Sequence, residues 1–198
     1  MNELPEMARN LTAARDLVAY HVERDRFYWV ASELLRAAPD PRVLEAASVA
    51  LHRVSNSDEV RLALRDRRAA GAAREYAQLF EGPTPMIPLR CGDGAIAARD
   101  AAQLAAGLSG PATPTTELRA LAILAQRTAH ALRNGDMLDA AALSDLQSRF
   151  LEQHAASCIA ALAAALVARG LPFYRALGRS LADQIAEDLR LLGPQGSA

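Results

Sequence analysis

The stretch Arg74 to Pro88 constrains this chain most, because it states both what the chain forms and where that has to stop. Tyr76, Leu79 and Phe80 recur at helical spacing and share one face of a helix. Gly82, Pro83, Pro85 and Pro88 then end it: prolines lack an N–H and fix φ, so the segment runs extended and cannot re-enter a helix. Two helical halves, about 1–82 and 93–198, are therefore expected on either side of a loop at 82–92. Two readings of the loop stay open. It is a linker whose neighbouring aromatics belong to the core, or a stiff loop beside a groove between the halves.

The same 3.6-residue period runs through the rest of the chain. Between Leu11 and Ala38, Leu17, Tyr20, Phe27 or Tyr28, Ala31, Leu34 and Leu35 make an apolar stripe, with charges at Arg15, Asp16, Glu23, Arg24 and Asp25 between them. Trp29 widens the stripe, so this helix is expected to pack on two neighbours. Asp40-Pro41 supplies an N-cap and an N1 proline for a second helix, and Asn56-Ser57-Asp58-Glu59 opens a third toward Arg68, with Gly71 as an interruption before Ala72 to Phe80. Cys91-Gly92-Asp93-Gly94 reads as a turn, and Ala95 to Leu108 as a helix of small residues. Thr113-Pro114 starts the next helix, with Leu118, Leu121, Ala122, Ala125 and Leu132 as its buried stripe, and Asn134-Gly135 closes it. Met137 to Glu152 follows, then a last pair of helices divided by Gly170-Leu171-Pro172. No run alternates with period two and β-branched residues, so the fold class is all-α, one helical domain over 1–198.

Composition narrows the function. A net charge of −1 is no nucleic-acid face, and the 22 basic residues are all arginine, a bias that weakens any argument from arginine clusters such as Arg65, Arg67 and Arg68. The start of the chain lacks the basic and apolar regions of a secretory signal. Cys158 to Ala168 is too short to span a bilayer and reads as a buried helix. Two cysteines without ligand spacing to each other fit free thiols in a reducing, cytoplasmic compartment. His154 and Cys158 stand at i,i+4, but two ligands do not make a zinc site and no second pair announces itself, so neither metal nor cofactor is expected. No G-x-S-x-G elbow and no GxxxxGK[ST] loop occurs, which argues against hydrolase or nucleotide chemistry. What remains is acidic and aromatic: Glu75, Tyr76, Phe80 and Glu81 before the loop, Asp93, Asp100 and Glu117 after it. That suits an arginine-bearing peptide in an interhelical groove.

Several of these pieces, in order, carry a resemblance. Arg26-Phe27-Tyr28 with Glu33-Leu34-Leu35 and Pro39, Glu75-Tyr76-Ala77-Gln78-Leu79-Phe80-Glu81-Gly82-Pro83, Gly107-Leu108, Glu117-Leu118, Phe150-Leu151 with His154, and Phe173-Tyr174 are similar to the motifs of the TorD/DmsD/NarJ family of redox-enzyme maturation chaperones. The chain departs from that pattern at Ile87-Pro88-Leu89-Arg90-Cys91, where members often carry an aromatic and an acid, and at Gly110-Pro111-Ala112, where many carry Asp-His. The resemblance implies a cytoplasmic chaperone, not an enzyme, that binds an apo molybdoenzyme catalytic subunit through its twin-arginine leader or another segment. It would assist cofactor insertion and delay export. Client contacts are expected at Tyr76, Phe80, Glu81, Pro88, Leu89, Glu117, Leu118, Leu121 and His154. A monomer is expected, with a domain-swapped dimer through the loop as the alternative assembly. The rival class is a helical scaffold or regulatory protein that grips a folded partner; a nucleotide-hydrolysing module ranks third.

Overall fold

Helix start and stop signals are met by side chains where the sequence places them, and this fixes the element order. The computed structural model describes residues 3–54, 69–91 and 96–192, with side chains from 13–51, 71–91 and 96–192. The elements are α1 (Glu3–Arg36), α2 (Pro41–Val54), α3 (Ala69–Phe80), α4 (Ile96–Ala106), α5 (Pro114–Arg133), α6 (Met137–Phe150), α7 (Ala156–Arg169) and α8 (Pro172–Leu192). Among the described residues there is no strand, and the chain forms a single all-α domain. Asp40 Oδ1 accepts from the N–H groups of Arg42 and Val43 at 2.8 and 2.9 Å, and Thr113 Oγ1 from that of Thr116 at 3.2 Å, the N-caps expected of α2 and α5. Asn134 caps the end of α5, and Gly135 follows at φ 75°.

Two expectations give way. Gly71 lies inside α3, whose apolar face packs well enough to carry a glycine at a cost of about 1 kcal/mol. The segment after Phe150 is no break: a π-turn, Leu151–Ala155, joins α6 to α7 in one continuous helix, Met137–Arg169. By length and composition this helix is apolar enough to cross a membrane, yet over half of its most apolar window is buried inside the molecule, as in a core helix. The helix expected from Asn56 to Arg68 and the turn at Gly92 to Gly94 lie outside the described residues.

The core does not respect the two-halves division. α1 packs most extensively along α5, from beyond the loop, and α7 packs along α8. Phe27, Tyr28, Leu34 and Leu35 of α1 join Leu118, Leu121 and Leu124 of α5 and Tyr174 and Leu181 of α8 in one cluster. The proline loop is strapped to this core. Ile87 is buried and its N–H donates to Leu79 O at 3.0 Å, Arg169 Nη1 donates to Met86 O at 2.9 Å, and the Cys91 N–H donates to Ala112 O at 3.3 Å.

Candidate functional site

Where the loop ends, three elements bring their chemistry to one place. The cap at Thr113 and Pro114 at N1 start α5 so that Glu117 falls in its first turn, pointing inward. The π-turn sets His154 opposite it, and His154 Nε2 lies 3.2 Å from Glu117 Oε1. Both residues are buried, at 2% and 0% exposure. The His154 ring stacks on Phe150, with centroids 6.0 Å apart. Gln103 of α4 donates to Glu117 Oε1 at 3.4 Å. Burial pushes the Glu117 carboxyl above its ordinary range, opposed by His154.

Cys158 sits one helical turn beyond His154, and Cys91 reaches it from the loop as a disulfide with Cα atoms 4.9 Å apart. The free thiols expected from sequence are thus paired. Their separation of 67 residues gave no local cue, since only the strapped loop brings Cys91 to α7. Sulfur, ring nitrogen and carboxylate oxygen of Cys91, His154 and Glu117 lie within 4.8 Å of one another. Packing thus gathers beside His154 two side chains that the sequence did not place there, Cys91 and Glu117, each offering one atom that could bind a metal. Glu117 Oε2 and His154 Nδ1 are buried without hydrogen-bond partners.

A second polar centre was missed in the sequence, where Arg24 counted as one of the charges between apolar positions. Arg24, 1% exposed, donates through Nε to Asp188 Oδ2 at 2.7 Å and through Nη1 to Gln147 Oε1 at 2.6 Å. Tyr28 Oη at 2.6 Å, Tyr20 Oη at 3.0 Å and Gln184 Nε2 at 2.6 Å also donate to Asp188. This network ties α1, α6 and α8 together. The signal was spacing: Arg24 stands four residues from both Tyr20 and Tyr28, on the apolar stripe and not between stripes.

The expected client-binding residues divide. Tyr76, Leu118 and Leu121 are core, and Glu117 and His154 face each other inside, so the groove pictured between these side chains is filled by the side chains themselves. Glu81 and Pro88 are exposed, and Phe80 and Leu89 are half-buried against the core. The motif around them is architectural: Glu75 accepts from the N–H groups of Phe173 and Tyr174 at 3.1 and 3.2 Å, capping α8, while Tyr76, Phe80 and Tyr174 form an aromatic cluster. An open groove lies elsewhere. It has a volume of about 450 Å³ and is lined by Asp25, Arg26, Trp29 and Val30 of α1, Ala46, Val49 and Ala50 of α2, and Gln126 of α5. Trp29 and Val49 are 42% and 52% exposed in it. α1 packs on two neighbours as expected, α5 and α2, while Trp29 itself stands in the groove beside α2.

Fold and sites together define a class, a helical domain with a disulfide, a buried imidazole and a buried carboxylate at one centre and an apolar groove on another face. Compared with known proteins, the chain matches no family model, no curated protein and no solved structure.

Proposed function

We propose that the protein is a cytoplasmic helical chaperone of the redox-enzyme maturation kind, which holds a segment of an apo molybdoenzyme catalytic subunit, its twin-arginine leader or another stretch, during cofactor insertion. The observation that supports this reading is the α1–α2 groove. Trp29 and Val49 offer exposed apolar surface beside the Asp25 carboxyl, which is what a segment of apolar residues and arginines requires. Burial pushes the Asp25 carboxyl up, with Arg26 opposing, so an arriving guanidinium gains by favouring the charged form. The exposed Glu81 and Pro88 edge of the loop offers a second contact of the same character. No bond chemistry is required. Holding and release suffice, with release following client folding.

Trp29 is the only tryptophan in the chain and reports on its own groove. Titration with a leader peptide of the client should shift its fluorescence to the blue at micromolar concentrations, and Trp29→Ala should weaken binding about tenfold or more, as for a buried aromatic anchor. Capture of a molybdoenzyme subunit from the host lysate should increase when molybdenum-cofactor synthesis is blocked. Failure of an apo-client precursor to bind at micromolar concentration sinks the reading. A scrambled leader that binds equally well moves it to the scaffold class.

A further inference from the structure

The centre formed by Cys91, Cys158, His154 and Glu117 holds more donor chemistry than a disulfide beside an ion pair needs. Each buried polar atom without a partner costs about 1–3 kcal/mol. Glu117 Oε2 and His154 Nδ1 are two of the four such atoms among the described residues, and they belong to one contacting pair. Unpartnered polar atoms on two residues whose donor atoms lie within 4.8 Å of the Cys91 sulfur are the mark of a site built for a ligand that accepts lone pairs, and a cation is such a ligand. The π-turn that carries His154 is a second sign, because such one-residue insertions in a helix gather at functional sites.

We propose that the reduced form of this centre binds one zinc ion through the Cys91 and Cys158 sulfurs, a ring nitrogen of His154 and a carboxylate oxygen of Glu117, and that oxidation to the disulfide closes the site. The donor set is of the mixed sulfur, nitrogen and oxygen kind that zinc takes in four-coordinate sites. Ligand atoms of a zinc tetrahedron stand roughly 3.3–3.8 Å apart, given bond lengths of about 2.0–2.3 Å. Donors of Cys91, His154 and Glu117 already lie within 4.8 Å, so contractions of up to about 1–1.5 Å, with the two sulfurs parting once reduced, bring the donors to that spacing. Cys158 is bonded to Cys91 and one turn from His154, so it needs no rearrangement of the helix. Gln103, donating to Glu117 Oε1, orients the carboxylate as outer partners of metal ligands do.

The redox step balances simply. A dithiol reductant gives two electrons and two protons to the disulfide and is itself oxidised to a disulfide, leaving Cys91 and Cys158 as thiols. Zinc then displaces both thiol protons into solvent, and three anionic ligands with a neutral imidazole leave the loaded site with a single negative charge. A reducing compartment, which keeps thiols from pairing, would hold the protein in the metal-binding form.

The test uses the full chain, reduced without oxygen and dialysed against zinc, with cobalt(II) as the spectroscopic probe. The reduced chain should retain one zinc, and its cobalt form should show tetrahedral d–d bands with thiolate charge-transfer absorption. The oxidised chain should retain none. Cys91→Ser, on the loop and outside the helices, should weaken binding by at least about 100-fold, and Glu117→Gln by roughly 10–100-fold, with circular dichroism confirming that each variant keeps its helices. A reduced, folded chain that binds no zinc stoichiometrically overturns the proposal. So does unchanged affinity in Cys91→Ser, or a cobalt spectrum without thiolate bands.

Discussion

A guanidinium taken wholly out of water, as at Arg24, must recover several kcal/mol from its neighbours, and Asp188, Gln147 and two tyrosines are arranged to do so. His21 sits at the edge of this network with Nδ1 3.3 Å from Arg24 Nη1. A guanidinium only donates, so Nδ1 must accept and the ring is neutral with its hydrogen on Nε2. Burial, and then the Arg24 charge, lower the His21 pKa from 6.5 to about 3. The unfolded chain therefore binds a proton near pH 6.5 that the folded chain refuses until about pH 3. The stabilisation is fully present above pH 6.5 and is lost as pH falls toward 3, with a slope of up to about 1.4 kcal/mol per pH unit. Urea midpoints of the wild type should fall more steeply between pH 7 and pH 4.5 than those of His21→Gln, about the window this shift defines. Parallel curves would place the acid sensitivity elsewhere. At this scale the sequence showed His154 and Cys158 as an i,i+4 pair and showed Arg24 only as one charge among several. Partners 37 and 164 residues away, Glu117 and Asp188, are brought in by tertiary packing, which no local pattern encodes.

Among elements, capped boundaries were legible and uncapped continuity was not. Asp40-Pro41, Thr113-Pro114, Asn134-Gly135 and Gly170-Leu171-Pro172 each mark an observed boundary, because a cap or a missing N–H acts within a few residues. The π-turn after Phe150 has no such marker; it is recognised only by its backbone bonds and by where it sends His154. Close approach of α7 and α8 was equally hidden, though its cause is one residue. A Cβ at Gly178 would stand 2.7 Å from Leu166 Cβ and 2.9 Å from Ala163 O. Gly178→Ala should gain up to about 1 kcal/mol in helix propensity and lose more in overpacking, which costs about 1–3 kcal/mol. A net destabilisation of about 1–2 kcal/mol is expected in the urea midpoint at constant m-value. Unchanged or increased stability would mean that the two helices can separate without cost.

For the whole molecule, the all-α class followed from periodicity, whereas the single shared core did not, because α1 meets α5 across the length of the loop. That topology gives the Cys91–Cys158 bond its leverage: it closes a separation of 67 residues and anchors the loop to α7. On chain entropy alone such a loop is worth about 4 kcal/mol, and native disulfides commonly deliver about 2–4. The enclosed chain contains α4, α5 and α6, so the cross-link restrains three of the eight described helices whenever the chain unfolds. Reduction in the presence of a chelator should therefore lower the melting temperature by roughly 5–15 °C, given about 2–4 °C per kcal/mol at this size. Cys91→Ser should match the reduced wild type, since both lack the same constraint. Because the helices retain the Ile87 and Arg169 anchors of the loop, helicity at low temperature should persist and only the midpoint should move. If the reduced and oxidised chains melted together, the loop would already be fixed in the unfolded ensemble, or the cross-link would impose a native cost that cancels its entropic gain.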